Sequence, residues 1–144
     1  MDKRILPDFT LHAGHSHVRF DDLLQRREVV LALLHGEACR ECASFAQALR
    51  DAAWAREALV LVVGEGAGAE GIGLQDTDGA VSRKLRAVAS VPIGEACLLI
   101  ADRFGVLYAA LPVHGEPQGR TLDEASTWLG FIQEQCPECG VPVS

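Results

Sequence analysis

Two short, continuous apolar segments constrain the fold of this chain more than any other feature. Residues 28–34 read Glu-Val-Val-Leu-Ala-Leu-Leu, and residues 58–63 read Ala-Leu-Val-Leu-Val-Val. Runs of this length, rich in branched side chains and without polar alternation, are typical of strands buried on both faces of a sheet. Such strands need helices on both sides, so the sequence predicts an α/β domain with a central sheet flanked by helices.

Weaker patterns predict the remaining elements. Apolar residues at helical spacing predict a helix over about 39–54, a second carrying Val81, Leu85 and Val88, and a third from Thr121 to about Gln135. Asp76 to Gly79 supplies capping chemistry for the second helix, and Thr121 with Glu124 forms a Thr-x-x-Glu capping box for the third. Further strands are expected over 9–12, 17–20, 72–75, 96–101 and 106–110, with glycine-rich loops at 64–73 and 115–119. The first two strands predict an N-terminal β-hairpin.

Length and charge limit the classes of function. A chain of 144 residues fits one domain, with residues 136–144 as a C-terminal tail. The net charge is −7 and no run of Lys or Arg stands out, so nucleic acid and anionic membranes are not expected partners. No apolar run is long enough to span a bilayer, and the first residues lack the apolar core of a signal peptide. We therefore expect a cytoplasmic protein.

Four of the five cysteines form two Cys-x-x-Cys pairs, Cys39/Cys42 and Cys136/Cys139. In a reducing compartment such pairs are redox-active or metal-binding more often than structural. Cys39 lies at the predicted helix start, where unpaired N–H groups and the helix dipole favour a thiolate, and Cys42 lies one turn later on the buried face. This arrangement predicts a dithiol in which Cys39 attacks and Cys42 resolves. The expected auxiliary groups are His35, as proton partner, and the positive charge of Arg40.

Three segments resemble the thioredoxin-like superfamily: VVLALLHGEACRECASFAQAL (29–49), GLQDTDGAVSRKLRAV (73–88) and CLLIADRFGVLYAAL (97–111). They are most similar to its peroxiredoxin-like branch, the alkyl hydroperoxide reductase/thiol-specific antioxidant and redoxin relatives. The resemblance implies a thioredoxin-like fold with a central mixed sheet, and a thiol-dependent activity.

The sequence departs from that branch at two positions. The Thr that precedes the peroxidatic Cys is replaced by Gly36, and no Arg lies near Glu95, the nearest upstream being Arg86. Thiol–disulfide exchange is therefore expected ahead of peroxide reduction. Pro92 is the candidate for the proline that faces the dithiol in thioredoxins.

The segment Cys136-Pro137-Glu138-Cys139-Gly140 resembles a zinc knuckle. A second redox pair, half of a metal site shared between subunits, and a disulfide in the tail remain alternatives. In the topology that the resemblance implies, the last helix starts at the active-site end and would rise about 22 Å from Thr121 to Gln135, so this pair is expected at the opposite pole from Cys39/Cys42. Contact between the pairs would then need a second subunit.

The first interpretation is a thiol–disulfide oxidoreductase acting on a protein disulfide or a small thiol, with no cofactor. The alternatives are a thiol peroxidase acting on a peroxide, and a metal-binding or scaffold protein with zinc at Cys136/Cys139; a homodimer is an expected partner. Cys97, in an apolar strand, is expected to be an inert core thiol. His12, His15 and His17 lie close together, and strand alternation would place His15 and His17 on one side. A solvated turn is the ordinary interpretation of this cluster, and a metal site is the alternative.

Overall fold

The computed structural model of the chain describes residues 4–13, 16–23, 27–35, 40–65, 74–76, 79–92, 95–113 and 118–140. Its elements in chain order are β1 (Arg4–Ile5), β2 (Thr10–Ala13), β3 (Ser16–Arg19), β4 (Val29–Leu34), α1 (Arg40–Arg50), β5 (Leu59–Glu65), β6 (Leu74–Asp76), α2 (Ala80–Ala89), β7 (Cys97–Ala101), β8 (Val106–Pro112) and α3 (Gln118–Gly140). Short 3₁₀ turns at Phe20–Leu23 and Ala53–Arg56 follow β3 and α1.

The described strands form one mixed sheet in the order β1-β8-β7-β4-β5-β6-β2-β3. Strand β4 is parallel to β5, and β5 is parallel to β6. The other neighbouring strands are antiparallel, including the hairpin β2–β3, which extends the sheet beyond β6. The predicted central mixed sheet with an N-terminal hairpin is confirmed.

Every residue of β4 and of β7 is buried, as the unbroken apolar pattern of both strands predicts. Because successive side chains alternate between faces, β4 supplies two separate cores. Val30, Ala32 and Leu34 pack with α1 and α3, whose contributing side chains are Cys42, Phe45, Ala46, Leu49, Ala125, Leu129 and Ile132. We call this side the α1/α3 face.

The opposite side of the sheet, which we call the α2 face, holds the second core. Val29, Leu31 and Leu33 of β4 pack there with Leu85 and Ala89 of α2. The N-terminal region completes the cover with Leu6, Phe9, Leu11 and Phe20. The apolar stripes predicted for the helices thus face the sheet from both sides.

Strand register brings several element ends to one edge of the sheet. Leu33, near the end of β4, pairs with Cys97 at the start of β7, and Cys97 pairs with Pro112 at the end of β8. Helix α1 begins a few residues after β4. We call this region the β4 carboxyl edge. Cys42, the second cysteine of the first Cys-x-x-Cys pair, lies in this region.

The start of α2 follows the predicted capping chemistry. The buried carboxylate of Asp76 accepts the N–H of Val81 at 3.2 Å and the N–H of Ser82 at 2.7 Å. These are donors of the first helical turn, which have no partner within the helix. Gly79, which directly precedes α2, has φ of 73°, a conformation that glycine adopts without steric cost.

The start of α3 differs from the sequence prediction. The helix begins at Gln118, so Thr121 is a helical residue and the predicted capping box with Glu124 is wrong. The Thr121 hydroxyl instead donates to the carbonyl of Pro112 at 3.3 Å, a tertiary contact that no local motif reveals. Helix α3 also continues to Gly140, so the expected tail begins as helix.

Other boundaries shift for similar reasons. Gly64 and Glu65, expected in a loop, extend β5 because they pair with Gln75 and Asp76 of β6. The two-residue strand β1 has no periodic signal and is defined by its pairing with β8. Residues 66–73 of the first expected loop and 115–117 of the second lie outside the described residues, while Gln118 and Gly119, also expected in a loop, are helical.

Replacing Asp76 with Ala tests the cap of α2. We expect Asp76→Ala to lower the free energy of unfolding by about 2 kcal/mol, because two N–H groups of the first turn lose their acceptor. Urea unfolding followed by circular dichroism measures the change. Asp123→Ala, on the exposed side of α3, is the matched control and should change stability little. Equal effects of the two substitutions would contradict the capping role.

Candidate functional site

Cys42 lies in the first turn of α1, at the β4 carboxyl edge. Its side chain is 2% exposed and belongs to the α1/α3 core. The sulfur accepts a hydrogen bond from the backbone N–H of His35, at a donor–sulfur distance of 3.3 Å. His35 directly follows the last residue of β4, so the end of the strand and the start of the helix meet at this sulfur.

Two local effects favour negative charge on the Cys42 sulfur. The His35 N–H places a positive dipole end on the sulfur, and the unpaired N–H groups of the first turn of α1 act in the same sense. Burial acts in the opposite sense, because it removes water from the charged form. The backbone groups around the Cys42 sulfur thus favour the thiolate, and burial opposes it.

The other residues predicted for this site are only partly described. Cys39 lies outside the described residues. Arg40 is the first residue of α1, but its side chain lies outside them. His35 is half-buried at the end of β4. Thus the structure brings the Cys42 sulfur and the backbone of His35 together, while the roles expected for Cys39, for Arg40 and for the His35 imidazole stay predictions.

Pro92 lies in the segment that leads into β7, at the same edge. The register that pairs Leu33 with Cys97 carries the residues before Cys97 alongside the end of β4. Ala96 belongs to the same core as Cys42. The residue directly before β7 therefore lies at the same end of the sheet as Cys42, and contact between Pro92 and the dithiol stays a prediction.

Arg86 holds this segment in place, and sequence reasoning missed that role. Its side chain, on α2, is 1% exposed. Its guanidinium Nη1 donates to the carbonyl of Pro92 at 3.1 Å and to the carbonyl of Glu95. Helical spacing in the sequence could have indicated that Arg86 is buried. It lies on one stripe of α2 with the other buried residues of that helix, Ser82, Leu85 and Ala89.

A cavity of about 270 Å³ lies beside the same segment. It is bounded by the end of α2 and the following Val91 and Pro92, by the residues from Glu95 to Cys97, and by the end of β8. Its lining is mostly apolar, with Glu95 as an acidic group. The segment that Arg86 holds is therefore one wall of a surface depression at the β4 carboxyl edge.

Cys97 is 1% exposed and packs in the α2 core, while Cys42 packs in the α1/α3 core. The sheet lies between the two side chains. Cys97 is thus a buried core residue, as predicted, and is not placed to exchange with Cys42.

The second pair lies at the other end of α3. The start of α3 is fixed at the β4 carboxyl edge by the hydrogen bond between Thr121 and Pro112. Cys136 follows Thr121 by 15 helical residues, a rise of about 22 Å. The backbone is helical through Gly140, and the side chains of Cys136 and Cys139 lie outside the described part. The zinc, disulfide and redox interpretations of this pair stay predictions.

Among the described side chains, no group of three or more His, Cys, Asp or Glu residues could hold a metal ion. Of the predicted histidine cluster, His12 and His17 are described, and β2–β3 pairing places them opposite each other. His15 lies outside the described residues. None of the described helices is both long and apolar enough to cross a membrane.

No protein-family model matches the sequence, and no curated protein is significantly similar to it. The structure is similar to several solved proteins. Peroxidoxin BcpB from Mycobacterium tuberculosis has a TM-score of 0.68 at 18% identity, over 90% of this chain and 96% of that chain. A thiol:disulfide interchange protein of the thioredoxin family from Chlorobium tepidum has a TM-score of 0.64 at 12% identity, over 90% and 97%.

A third similar structure is the 2-Cys peroxiredoxin of Plasmodium vivax in its reduced form. Its TM-score is 0.63 at 17% identity, over 91% of this chain and 95% of that chain. These proteins share with this chain a mixed sheet flanked by helices. The chain therefore has the thioredoxin-like fold that its sequence resembles, and peroxiredoxins are among its structural neighbours.

Proposed function

We propose that this protein is a thiol–disulfide oxidoreductase whose reacting groups are Cys39 and Cys42. The observation that carries the proposal is the setting of the Cys42 sulfur. It is buried in the first turn of a helix that follows a central strand, and it accepts the N–H of His35. A hydrogen-bonded sulfur at a helix start is suited to exist as a thiolate during exchange.

Burial supports different roles for the two cysteines. With 2% of its surface exposed, Cys42 has no room to meet a disulfide carried by another protein. It is suited to attack a sulfur from inside the fold. Cys39 precedes α1 directly in the sequence, so we assign it as the nucleophile that meets the substrate.

The proposed reaction has two exchange steps. The Cys39 thiolate attacks one sulfur of the substrate disulfide, forms a mixed disulfide and releases the other substrate sulfur as a thiolate. The Cys42 thiolate then attacks the Cys39 sulfur, forms the Cys39–Cys42 disulfide and releases the second substrate sulfur. The substrate gains two electrons and the dithiol loses two. A dithiol reductant restores the protein by the reverse exchange.

A thiol peroxidase is the second candidate, favoured by the similarity in fold to peroxidoxin BcpB. Peroxide reduction needs groups that polarise the peroxide oxygens. Gly36 stands where the peroxiredoxin-like branch has Thr. Arg86, the arginine nearest upstream of β7, directs its Nη1 to two backbone carbonyls. These observations favour a disulfide substrate over a peroxide.

Single cysteine replacements test the dithiol. We expect Cys39→Ser to lower kcat/KM for reduction of a protein disulfide by at least about 10³-fold, since the attacking group is removed. Cys42→Ser should instead accumulate a mixed disulfide between Cys39 and the substrate, because the resolving sulfur is absent. Intact mass spectrometry after acid quenching detects this species, and turnover of the reduced protein gives the rates.

Cys97→Ala is the matched control, because Cys97 is also buried but packs in the other core. It should keep near-normal turnover. Retained activity in Cys39→Ser, or no trapped species in Cys42→Ser, would overturn the proposal. If the unmodified protein consumes hydrogen peroxide with a thiol donor faster than it reduces disulfides, the second candidate replaces the first.

Arg86 is proposed as a positioning residue for this reaction. Its guanidinium fixes the carbonyls of Pro92 and Glu95, and these residues border the depression at the β4 carboxyl edge. A protein substrate would meet this segment as it approaches the dithiol, whereas a small disulfide would touch it less.

Replacing Arg86 with Met should therefore have two effects. The free energy of unfolding should fall by about 2–3 kcal/mol, because two carbonyl groups lose a buried donor. The KM for a protein disulfide should rise at least about threefold, with a smaller change for oxidised glutathione. Arg86→Lys should recover part of the KM change, and Arg83→Met, on the exposed side of α2, is the control. An equal rise in KM for both substrates would show that the role of Arg86 is purely structural.

A further inference from the structure

We propose that His12 and His17 form a binding site for a divalent late-transition-metal ion. The two residues are directly opposite each other in the antiparallel pair β2–β3. Both side chains are exposed. Their ring centroids lie 4.6 Å apart with an interplanar angle of 62°. Two imidazoles therefore stand side by side on the surface of a regular hairpin.

The spacing of the two rings fits shared coordination of one ion. Imidazole nitrogens bind zinc at about 2.0–2.1 Å, and two imidazoles on one tetrahedral or square-planar ion place their ring centroids about 4.5–5 Å apart. The observed 4.6 Å lies in that range. Coordination would then need rotation of the rings and no movement of the strands.

Both imidazoles are available for a ligand. Within the described part of the chain, each ring contacts the other ring and neither donates nor accepts a hydrogen bond. Arg19 is the next residue after His17 on the same face of β3, and its positive charge is paired with Asp8. Its Nε donates to Asp8 at 2.9 Å, and this hydrogen bond lowers the pKa of Asp8.

The hairpin that carries the pair is held to the rest of the fold. Asp8 also accepts the backbone N–H of Asp21 at 2.8 Å, which fixes the residues on either side of the hairpin. Leu11, which lies between the exposed residues Thr10 and His12 of β2, points to the other face and is buried in the α2 core. A rigid pair of ligands binds more strongly than two independent ones, because the second bond forms within the molecule.

The ligand type defines the class of ion. Two neutral imidazoles suit zinc, nickel and copper, whereas calcium and magnesium prefer oxygen ligands. The described residues supply two protein ligands, so water would complete the coordination shell. The sequence pattern grouped His15 with His17 on one side of a strand, a prediction that stays open because His15 lies outside the described residues. The register adds that His12 lies opposite His17.

The proposal does not depend on the dithiol. Pairing runs from Leu34 of β4 to Gly64 of β5, then to Gln75 of β6 and to His12 of β2. Three strand spacings of about 4.8 Å separate His12 from Leu34, a distance of about 14 Å. The pair is thus too far from Cys42 to share an ion with it.

A zinc titration of the ¹⁵N-labelled full chain, followed by NMR of the imidazole nitrogens at pH 7.5, tests the site. Metal ions bind the deprotonated nitrogen of an imidazole, so the titration is run on the basic side of neutrality. We expect the signals of His12 and His17 to shift together and to saturate with one ion per pair. Because each residue is observed separately, zinc bound at cysteines does not obscure the result.

Single variants decide whether the two rings act together. His12→Asn and His17→Asn should each weaken zinc binding at the remaining ring at least about tenfold, since the chelate is lost. Lys84→Asn, at an exposed position of α2, is the control and should leave both shifts unchanged. Circular dichroism without metal checks that the variants fold, as expected for exposed positions. Unmoved His12 and His17 signals, or equal affinity in His12→Asn and the parent, would overturn the proposal.

Discussion

The burial of β4 on both faces is the constraint on which the rest of the structure depends. All six residues of the strand are buried, and neighbouring strands on either side satisfy its backbone groups. A buried strand must end somewhere, and the backbone donor beyond its last residue still needs an acceptor. For His35 that acceptor is the sulfur of Cys42. The candidate site is therefore a consequence of how the central strand ends. The first N–H group after the buried strand, that of His35, donates to a sulfur at the start of α1.

The alternation of side chains along the sheet separates the two buried sulfurs. Leu33 and its partner Cys97 point to the α2 face, while Leu34 and Cys42 belong to the α1/α3 face. A register shift of one residue would exchange these faces. Arg86 lies on the α2 face, and its guanidinium donates to the carbonyls of Pro92 and Glu95, which precede β7 in the chain. Thus the α1/α3 face carries the candidate chemistry, and the α2 face supports the segment beside it.

The sequence was sufficient wherever one local pattern determined the structure. The unbroken apolar runs predicted β4, β5 and β7, and helical spacing predicted the buried faces of all three helices, with Phe45, Leu85 and Leu129 among them. Sequence patterns did not predict the features that depend on contacts between one element and residues outside it. The Thr121 hydroxyl, expected to cap a helix, donates to the carbonyl of Pro112, and the Arg86 guanidinium donates to the carbonyl of Pro92 beyond the end of α2. The pairing of His12 with His17 needed the hairpin register, which sequence alternation within one strand could not supply.

The histidine pair lies on the same side of the sheet as the Cys42 sulfur. Leu34 points to the α1/α3 face, and directly paired residues across neighbouring strands point the same way, so His12 and His17 lie on that face as well. They are exposed because they lie at the hairpin end of the sheet, beyond the strands whose side chains pack with α1. At about 14 Å from Leu34, a bound ion would lie beyond the screening length of about 8 Å at physiological ionic strength. Such an ion would add positive charge to the surface that a substrate approaches. The ionisation of the Cys42 thiol would still depend on the His35 N–H and the first turn of α1.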